Sequence, residues 1–242
     1  MPSVGDDRDG KLVVKWSGDG YRLIPSRFPP VSVYEGLVAN DRLDALAQVE
    51  ALTNPRLRSE ARLSQPASGG SASPHQLQNW NLAPFAYGNP EGSTFFDEER
   101  PCLELAADRQ TALAIAVARR ERFLERTDEA PIGLDMRMLK TPIEGRFWDV
   151  RSMGAHLTRD ERLALGETAP DGVDGILFHA AERPSATCIV ILNGSGLGRS
   201  LQTIHYRFVW NGERISRLYA FDDIGLEIEP QSLAGEANVL AA

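Results

Sequence analysis

The sequence predicts an α+β protein in which mainly antiparallel sheets pack against a few helices. Strand-like segments dominate the second half of the chain, and one short helix interrupts them. Parallel neighbours each need a long crossover connection, usually a helix, so this scarcity of helices favours antiparallel pairing. The 242 residues are also sufficient for one hydrophobic core without disulfides or metals.

The first 60 residues predict two short strands and then a helical pair. Residues 11–17 and 21–25 are rich in apolar and β-branched side chains and flank a turn-like Gly18-Asp19-Gly20. From residue 41 to residue 52, leucine and valine recur at helical spacing behind a polar cap. A second short helix is predicted to begin at Asn54-Pro55, as proline is well tolerated in a first turn.

The second half predicts a long helix surrounded by strands. CLELA, residues 102–106, is expected to be a strand, and residues 108–127 form the clearest helix, with Asp108 at its start and arginines near its end. A shorter helix is expected over 158–166, and the glycine cluster 193–198 is interpreted as a connecting loop, because no helix follows to bind a phosphate. Further strands are predicted at 134–140, 146–150, 173–179, 187–193, from about 204 to 210 and from about 215 to 221.

Composition and charge exclude several classes of function. The net charge is −8 and the isoelectric point is about 5.1, so the surface repels nucleic acid and anionic membranes. The N-terminal residues lack the apolar stretch of a signal peptide or a membrane span, and Cys102 and Cys188 stand too far apart in sequence to suggest a disulfide framework. We therefore expect a cytoplasmic protein with one domain over residues 1–222 and a C-terminal tail, 223–242, that is loosely ordered or partly docked.

Seven segments in a fixed order carry a resemblance to a known family. They are YRLIPSRFPPVSVYE, EALTNPRLR, NPEGSTF, TALAIAVARRERFL, LDMRML, DGILF and WNGERISRLY. Together they resemble the RES-domain family of bacterial toxins from toxin–antitoxin modules, over roughly residues 20–220.

The resemblance implies a fold, an activity and a partner. The fold would be akin to that of ADP-ribosyltransferases. The activity would split the nicotinamide–ribose bond of NAD by phosphorolysis, hydrolysis or ADP-ribosyl transfer to a protein. The partner would be an Xre-type helix-turn-helix antitoxin that covers the active-site cleft. NAD would be a substrate or ligand, with no prosthetic group and no metal, and the sequence leaves a homo-oligomer open.

The chemistry explains the residue types that the family uses. An arginine holds the pyrophosphate, and a carboxylate steadies the developing oxocarbenium cation. Arg22 falls where the family keeps its essential arginine, and residues 89–95 match a loop that typically reads N-P-x-G-S-R-F. The residues predicted to bind the dinucleotide are Tyr21, Arg22, Arg27, Asn89, Gly92, Ser93 and Phe95.

Four functional groups that the family pattern calls for are absent. Thr94 stands in place of the loop arginine, Glu104 in place of a strand tyrosine, and Ile115 in place of a helix glutamate. The segment 159–173, where a serine is expected, contains none. Losing several such groups would leave little of the ordinary mechanism unless others replace them.

Glu104 is the predicted replacement for the missing carboxylate, so Arg22 and Glu104 are the predicted catalytic pair. Strand alternation places Glu104 on the opposite face from its leucine neighbours, where it can face a cleft. The alternatives are that Glu104 faces solvent or pairs with an arginine, that Arg22 is a salt-bridge partner, and that Arg27 caps a loop. Ile115 is interpreted as a core residue.

Two hypotheses about function follow. The first is an NAD-degrading enzyme with a rearranged site. The second is a RES-fold protein without activity that works by binding an Xre-type antitoxin or another protein. The fold alone does not choose between them.

Overall fold

The computed structural model of the protein describes residues 4–6, 11–26, 83–85, 89–153, 157–221, 227–235 and 240. The helices predicted over 41–52 and from Pro55 lie outside the described residues. The described strands are β1 (Val4–Asp6), β2 (Leu12–Pro25), β3 (Leu103–Ala106), β4 (Ile132–Asp149), β5 (Gly175–Ala180), β6 (Arg183–Ile191), β7 (Leu201–Trp210), β8 (Ile215–Phe221) and β9 (Glu227–Ile228). The described α-helices are α1 (Arg109–Glu125) and α2 (Arg159–Glu167).

The described strands form one nine-stranded sheet in the order β1-β2-β3-β6-β5-β4-β7-β8-β9. An additional pairing between β2 and β4 joins five of them, β2, β3, β6, β5 and β4, into a closed ring. β4 and β5 are parallel, and the other paired strands are antiparallel. The connection between β4 and β5 contains α2, as a parallel crossover requires. The predicted α+β class is confirmed.

The turn predicted at Gly18-Asp19-Gly20 is wrong, since β2 runs through it as one 14-residue strand. These residues pair with β4, which is also one strand where two were predicted. A Cβ atom on Gly20 would lie 2.5 Å from the side chain of Ile143 and 2.9 Å from that of Leu105. Glycine at this position therefore allows a close approach inside the ring, which the sequence alone cannot distinguish from a turn.

The hydrophobic core has two parts on opposite faces of the sheet. One fills the strand ring and includes Leu103, Leu105 and Phe147. The larger part lies on the outer face, where α1 packs with its buried Leu113 and Val117. β3 contributes to both parts, because successive residues of a strand point to opposite faces.

α1 begins at a well-formed cap. The backbone N–H of Thr111 donates to Oδ1 of Asp108 at 2.9 Å, and Nη1 of Arg183 donates to the same carboxylate oxygen at 3.0 Å. Near the C-terminus, the segment Pro230–Ala234 lies against α1, where Nε2 of Gln110 donates to the carbonyl of Leu233 at 3.0 Å. These contacts fix the position of the helix on the sheet.

α2 is capped and packed closely against residues 95 and 96. Thr158 and Glu161 form a capping box, in which the N–H of Thr158 donates to the Glu161 carboxylate at 2.7 Å. At the other end of the helix, a Cβ atom on Gly166 would lie 2.0 Å from the carbonyl oxygen of Phe95. The missing side chain at Gly166 therefore allows α2 to lie directly on this segment. In the part of the chain that the structure describes, no helix has the length and hydropathy needed to cross a bilayer.

Candidate functional site

A cavity of about 510 Å³ lies between β2, β3, the loop 89–94 and the two helices. A second cavity of about 200 Å³ shares part of its wall, including Arg22, Glu104 and Arg119. The larger volume falls in the range of small-molecule binding sites. The described residues around it include five arginines and three glutamates, in a chain whose net charge is −8. The cavity is therefore a basic region on an acidic protein.

Arg22 lines both cavities from β2. In the strand register it stands opposite Leu139 of β4, while the preceding Tyr21 stands opposite Lys140 and also pairs with Ala106 of β3. Burial lowers the pKa of Arg22 to about 10, which still leaves the guanidinium charged at neutral pH. The structure thus places the predicted arginine at a cavity, and Tyr21 lines the larger one beside it.

Glu104 is held by the loop and by α1. The backbone N–H of Thr94 donates to one carboxylate oxygen at 2.7 Å, and the guanidinium of Arg119 donates to the other. Burial alone would raise the pKa of Glu104, but the positive charge of Arg119 and the hydrogen bonds from Thr94 and Arg119 outweigh it and hold the pKa below its ordinary value. Glu104 is therefore an ionised carboxylate at the wall of the cavity, paired with an arginine as the alternative interpretation foresaw.

The loop that begins at Asn89 is a compact turn held by its own polar groups. The N–H of Gly92 donates to the carbonyl of Asn89 at 2.7 Å, and the side-chain amide of Asn89 donates to the carbonyl of Gly92. Gly92 has φ +68°, which suits glycine because other residues rarely adopt it. The N–H of Ser93 donates to the carbonyl of Phe96 at 2.7 Å. Asn89, Gly92 and Ser93 all line the cavity.

One predicted binding residue does not line the cavity, and another lies outside the described residues. Phe95 is buried in the core with its ring edge-on to Phe178, at 5.1 Å between ring centroids, so it supports the loop from behind. Arg27 lies outside the described residues. Ile115 packs partly buried against the core, as the sequence interpretation held, but it also lines the cavity.

The side of α1 that lines the cavity changes from apolar to basic along the helix. Ala112, Ile115 and Ala116 come first along the helix, followed by Arg119 and Arg122. Ten residues of helix correspond to about 15 Å. The part of the cavity wall formed by α1 therefore has an apolar end and a basic end.

Sequence reasoning missed the arginines on the two helices. From the sequence alone, the late arginines of α1 are explained by the helix dipole, and the segment with Arg159 and Arg162 is predicted to be a short helix that lacks the expected serine. Helical spacing could have found Arg119, because it lies four residues after Ile115 and so shares its face. Among the described residues, no group of histidine, cysteine and carboxylate side chains is arranged to hold a metal.

Fold and cavity together define an α+β protein with an arginine-lined cavity. Comparison with protein families matches residues 72–211 to the RES domain. The chain is also 60% identical over 221 residues to "Uncharacterized protein y4oC" of Sinorhizobium fredii (strain NBRC 101917 / NGR234), across 91% of this chain and 95% of that protein. The chain belongs to the RES-domain family.

Proposed function

We propose that the protein binds NAD in the larger cavity and splits its nicotinamide–ribose bond with a rearranged set of residues, by chemistry of the ADP-ribosyltransferase type. The observation that carries the proposal is the shared position of Arg22 and the ionised Glu104 on the wall of a cavity of about 510 Å³. An arginine for the pyrophosphate and a carboxylate for the oxocarbenium cation are the two groups that this chemistry requires.

In this rearranged site, the positive and the negative side chains come from different secondary-structure elements than in the family pattern. The loop arginine is replaced by Thr94, and Arg119 of α1 instead brings a guanidinium to that loop through Glu104. The helix glutamate is replaced by Ile115, and Glu104 of β3 brings a carboxylate to the same cavity. A carboxylate and a second arginine are thus still available, from different positions in the sequence.

Glu104 would act by electrostatic stabilisation. An ionised carboxylate in a partly enclosed site stabilises positive charge that develops on the ribose as the bond to nicotinamide breaks. The pairing with Arg119 reduces this effect, because the guanidinium already neutralises part of the charge. Slow turnover compared with an unpaired carboxylate is therefore expected.

The same ion pair favours a second candidate function, a RES-fold protein that keeps the ligand site but not the reaction. In that case the protein would act by binding another protein, and an Xre-type antitoxin covering the cleft is the partner that we propose. NAD binding is expected under both functions, so binding alone does not distinguish them.

The deciding experiment follows NAD concentration over time with purified protein, with and without inorganic phosphate. Wild type is compared with Arg22→Ala, Glu104→Gln and the control Arg146→Ala, which removes an exposed arginine of β4 outside the cavity. NAD loss that requires Arg22 and Glu104 would establish the enzyme, and its dependence on phosphate would identify the acceptor. Arg22-dependent binding without NAD loss would establish the binding protein, and absence of both would refute the proposal.

A further inference from the structure

Two pairs of arginines face the larger cavity from two different helices. α1 contributes Arg119 and Arg122, and α2 contributes Arg159 and Arg162. The two members of each pair are three positions apart, which places them on one side of their helix. Like charges about one turn apart on a helix repel each other. We call these four residues the arginine wall.

One arginine of the wall, Arg119, pairs with the carboxylate of Glu104, whereas the carboxylate of the neighbouring Glu91 pairs outside the wall. Glu91 lies between the two helices, where its backbone carbonyl accepts a hydrogen bond from Nη2 of Arg159 at 2.9 Å. Its carboxylate, however, pairs at 2.8 Å with Arg126, which does not line the cavity. The residues of α2 and of the end of α1 that line the cavity therefore carry a net positive charge, even with Arg119 paired to Glu104.

The wall extends beyond the position of Arg22. Arg22 and Arg119 border both cavities, whereas Arg122, Arg159 and Arg162 border only the larger one. The site thus offers two positions to anionic groups, one near Arg22 and one near α2. In the proposed dinucleotide site the pyrophosphate would occupy one position, and the second suits a further phosphate, since arginine binds phosphate oxygens in two-pronged fashion.

We propose that the arginine wall binds a phosphate on the 2′-oxygen of the ligand, so that the preferred ligand is a 2′-phosphorylated dinucleotide such as NADP. This inference rests on the proposed dinucleotide site and adds which dinucleotide that site prefers. A ligand with two separated phosphate groups would also account for two basic positions in a protein whose overall charge is negative.

The test compares the binding of ADP-ribose with that of 2′-phospho-ADP-ribose by calorimetry at constant ionic strength. Wild type is expected to bind the phosphorylated compound about tenfold more tightly or better, the effect of one charge-assisted hydrogen bond. In Arg159→Gln/Arg162→Gln this preference should disappear while ADP-ribose still binds. Arg146→Gln, which changes an exposed arginine of β4 outside the cavity, is the matched control and should keep the preference. Arg122→Gln, which changes an exposed position on α1, provides a second variant if the double variant does not fold.

Three results would overturn the inference. One is equal affinity of wild type for both compounds, and another is a preference that survives loss of the wall arginines. The third is inorganic phosphate raising the affinity for ADP-ribose through Arg159 and Arg162, which would assign the wall to a free phosphate ion. If neither compound binds at all, the proposed dinucleotide site itself is refuted. If ADP-ribose binds in a way that needs Arg22, but the phosphorylated compound binds no more tightly, only the 2′-phosphate position is refuted.

Discussion

Replacing Glu104 with glutamine should destabilise the fold at neutral pH and not at low pH. Glutamine keeps the shape and can still accept the hydrogen bond from Thr94, but it removes the negative charge that pairs with Arg119. The Glu104 side chain is 12% exposed and that of Arg119 is 48% exposed. A hydrogen bond to a charged group contributes about 1.5–3 kcal/mol. Because solvent screens the arginine, we expect about 1–2 kcal/mol.

The pH dependence follows from the lowered pKa of Glu104. A carboxyl group with a lower pKa in the folded state stabilises the protein above its unfolded-state pKa, and this contribution is lost as the pH falls through the folded-state value. The difference in stability between wild type and Glu104→Gln should thus be full at neutral pH and shrink below about pH 4.5, the ordinary value for a glutamate.

Thermal unfolding followed by circular dichroism measures this difference. For a chain of this length, 1 kcal/mol shifts Tm by about 2–4 °C, so Glu104→Gln should lower Tm by about 2–8 °C at neutral pH. Glu91→Gln is the matched control, because Glu91 and Arg126 are 52% and 60% exposed and such pairs contribute about 0–1 kcal/mol. An unchanged Tm for Glu104→Gln, or a difference that persists undiminished in acid, would refute the reasoning.

Two further predictions concern packing and the thiols. Gly166→Ala should lower the free energy of unfolding by about 1–3 kcal/mol in chemical denaturation, because its Cβ would lie 2.0 Å from the Phe95 carbonyl oxygen. Gly194→Ala is the control, since the nearest atom to its Cβ would be 3.7 Å away, and its free energy of unfolding should stay within about 0.5 kcal/mol of wild type. Equal losses in the two variants would contradict the packing explanation. Burial raises the pKa of Cys102 to about 11 and that of Cys188 further. A thiol-alkylating reagent should therefore modify both cysteines slowly near neutral pH until the protein unfolds. Rapid modification of the folded protein would contradict this prediction.

The sequence predicted those elements whose signals are local. The alternation in residues 102–106 placed Leu103 and Leu105 on one face and Glu104 on the other, and the structure has the leucines inside the strand ring and Glu104 at the cavity. The cap at Asp108 also placed the start of α1 correctly. Such features depend on a few neighbouring residues, so they can be recognised without knowing the tertiary structure.

The failures concern features that depend on distant parts of the chain. Gly20 lies in a strand and not in a turn because the side chain of Ile143, more than 100 residues away in sequence, packs closely against it. The pairing of Glu104 with Arg119 likewise requires knowing how α1 lies on β3. The arginine wall combines two helices separated by a long strand, and no local pattern brings Arg119 and Arg159 together.

Arg22 is proposed to hold a dinucleotide in the cavity of about 510 Å³. Calorimetric titration with NAD, for wild type and for Arg22→Ala of matched thermal stability, tests this proposal most directly. Removing a charged donor to the pyrophosphate should weaken binding at least about tenfold. If both proteins bind NAD with equal affinity, or if folded wild type does not bind it, the account is contradicted.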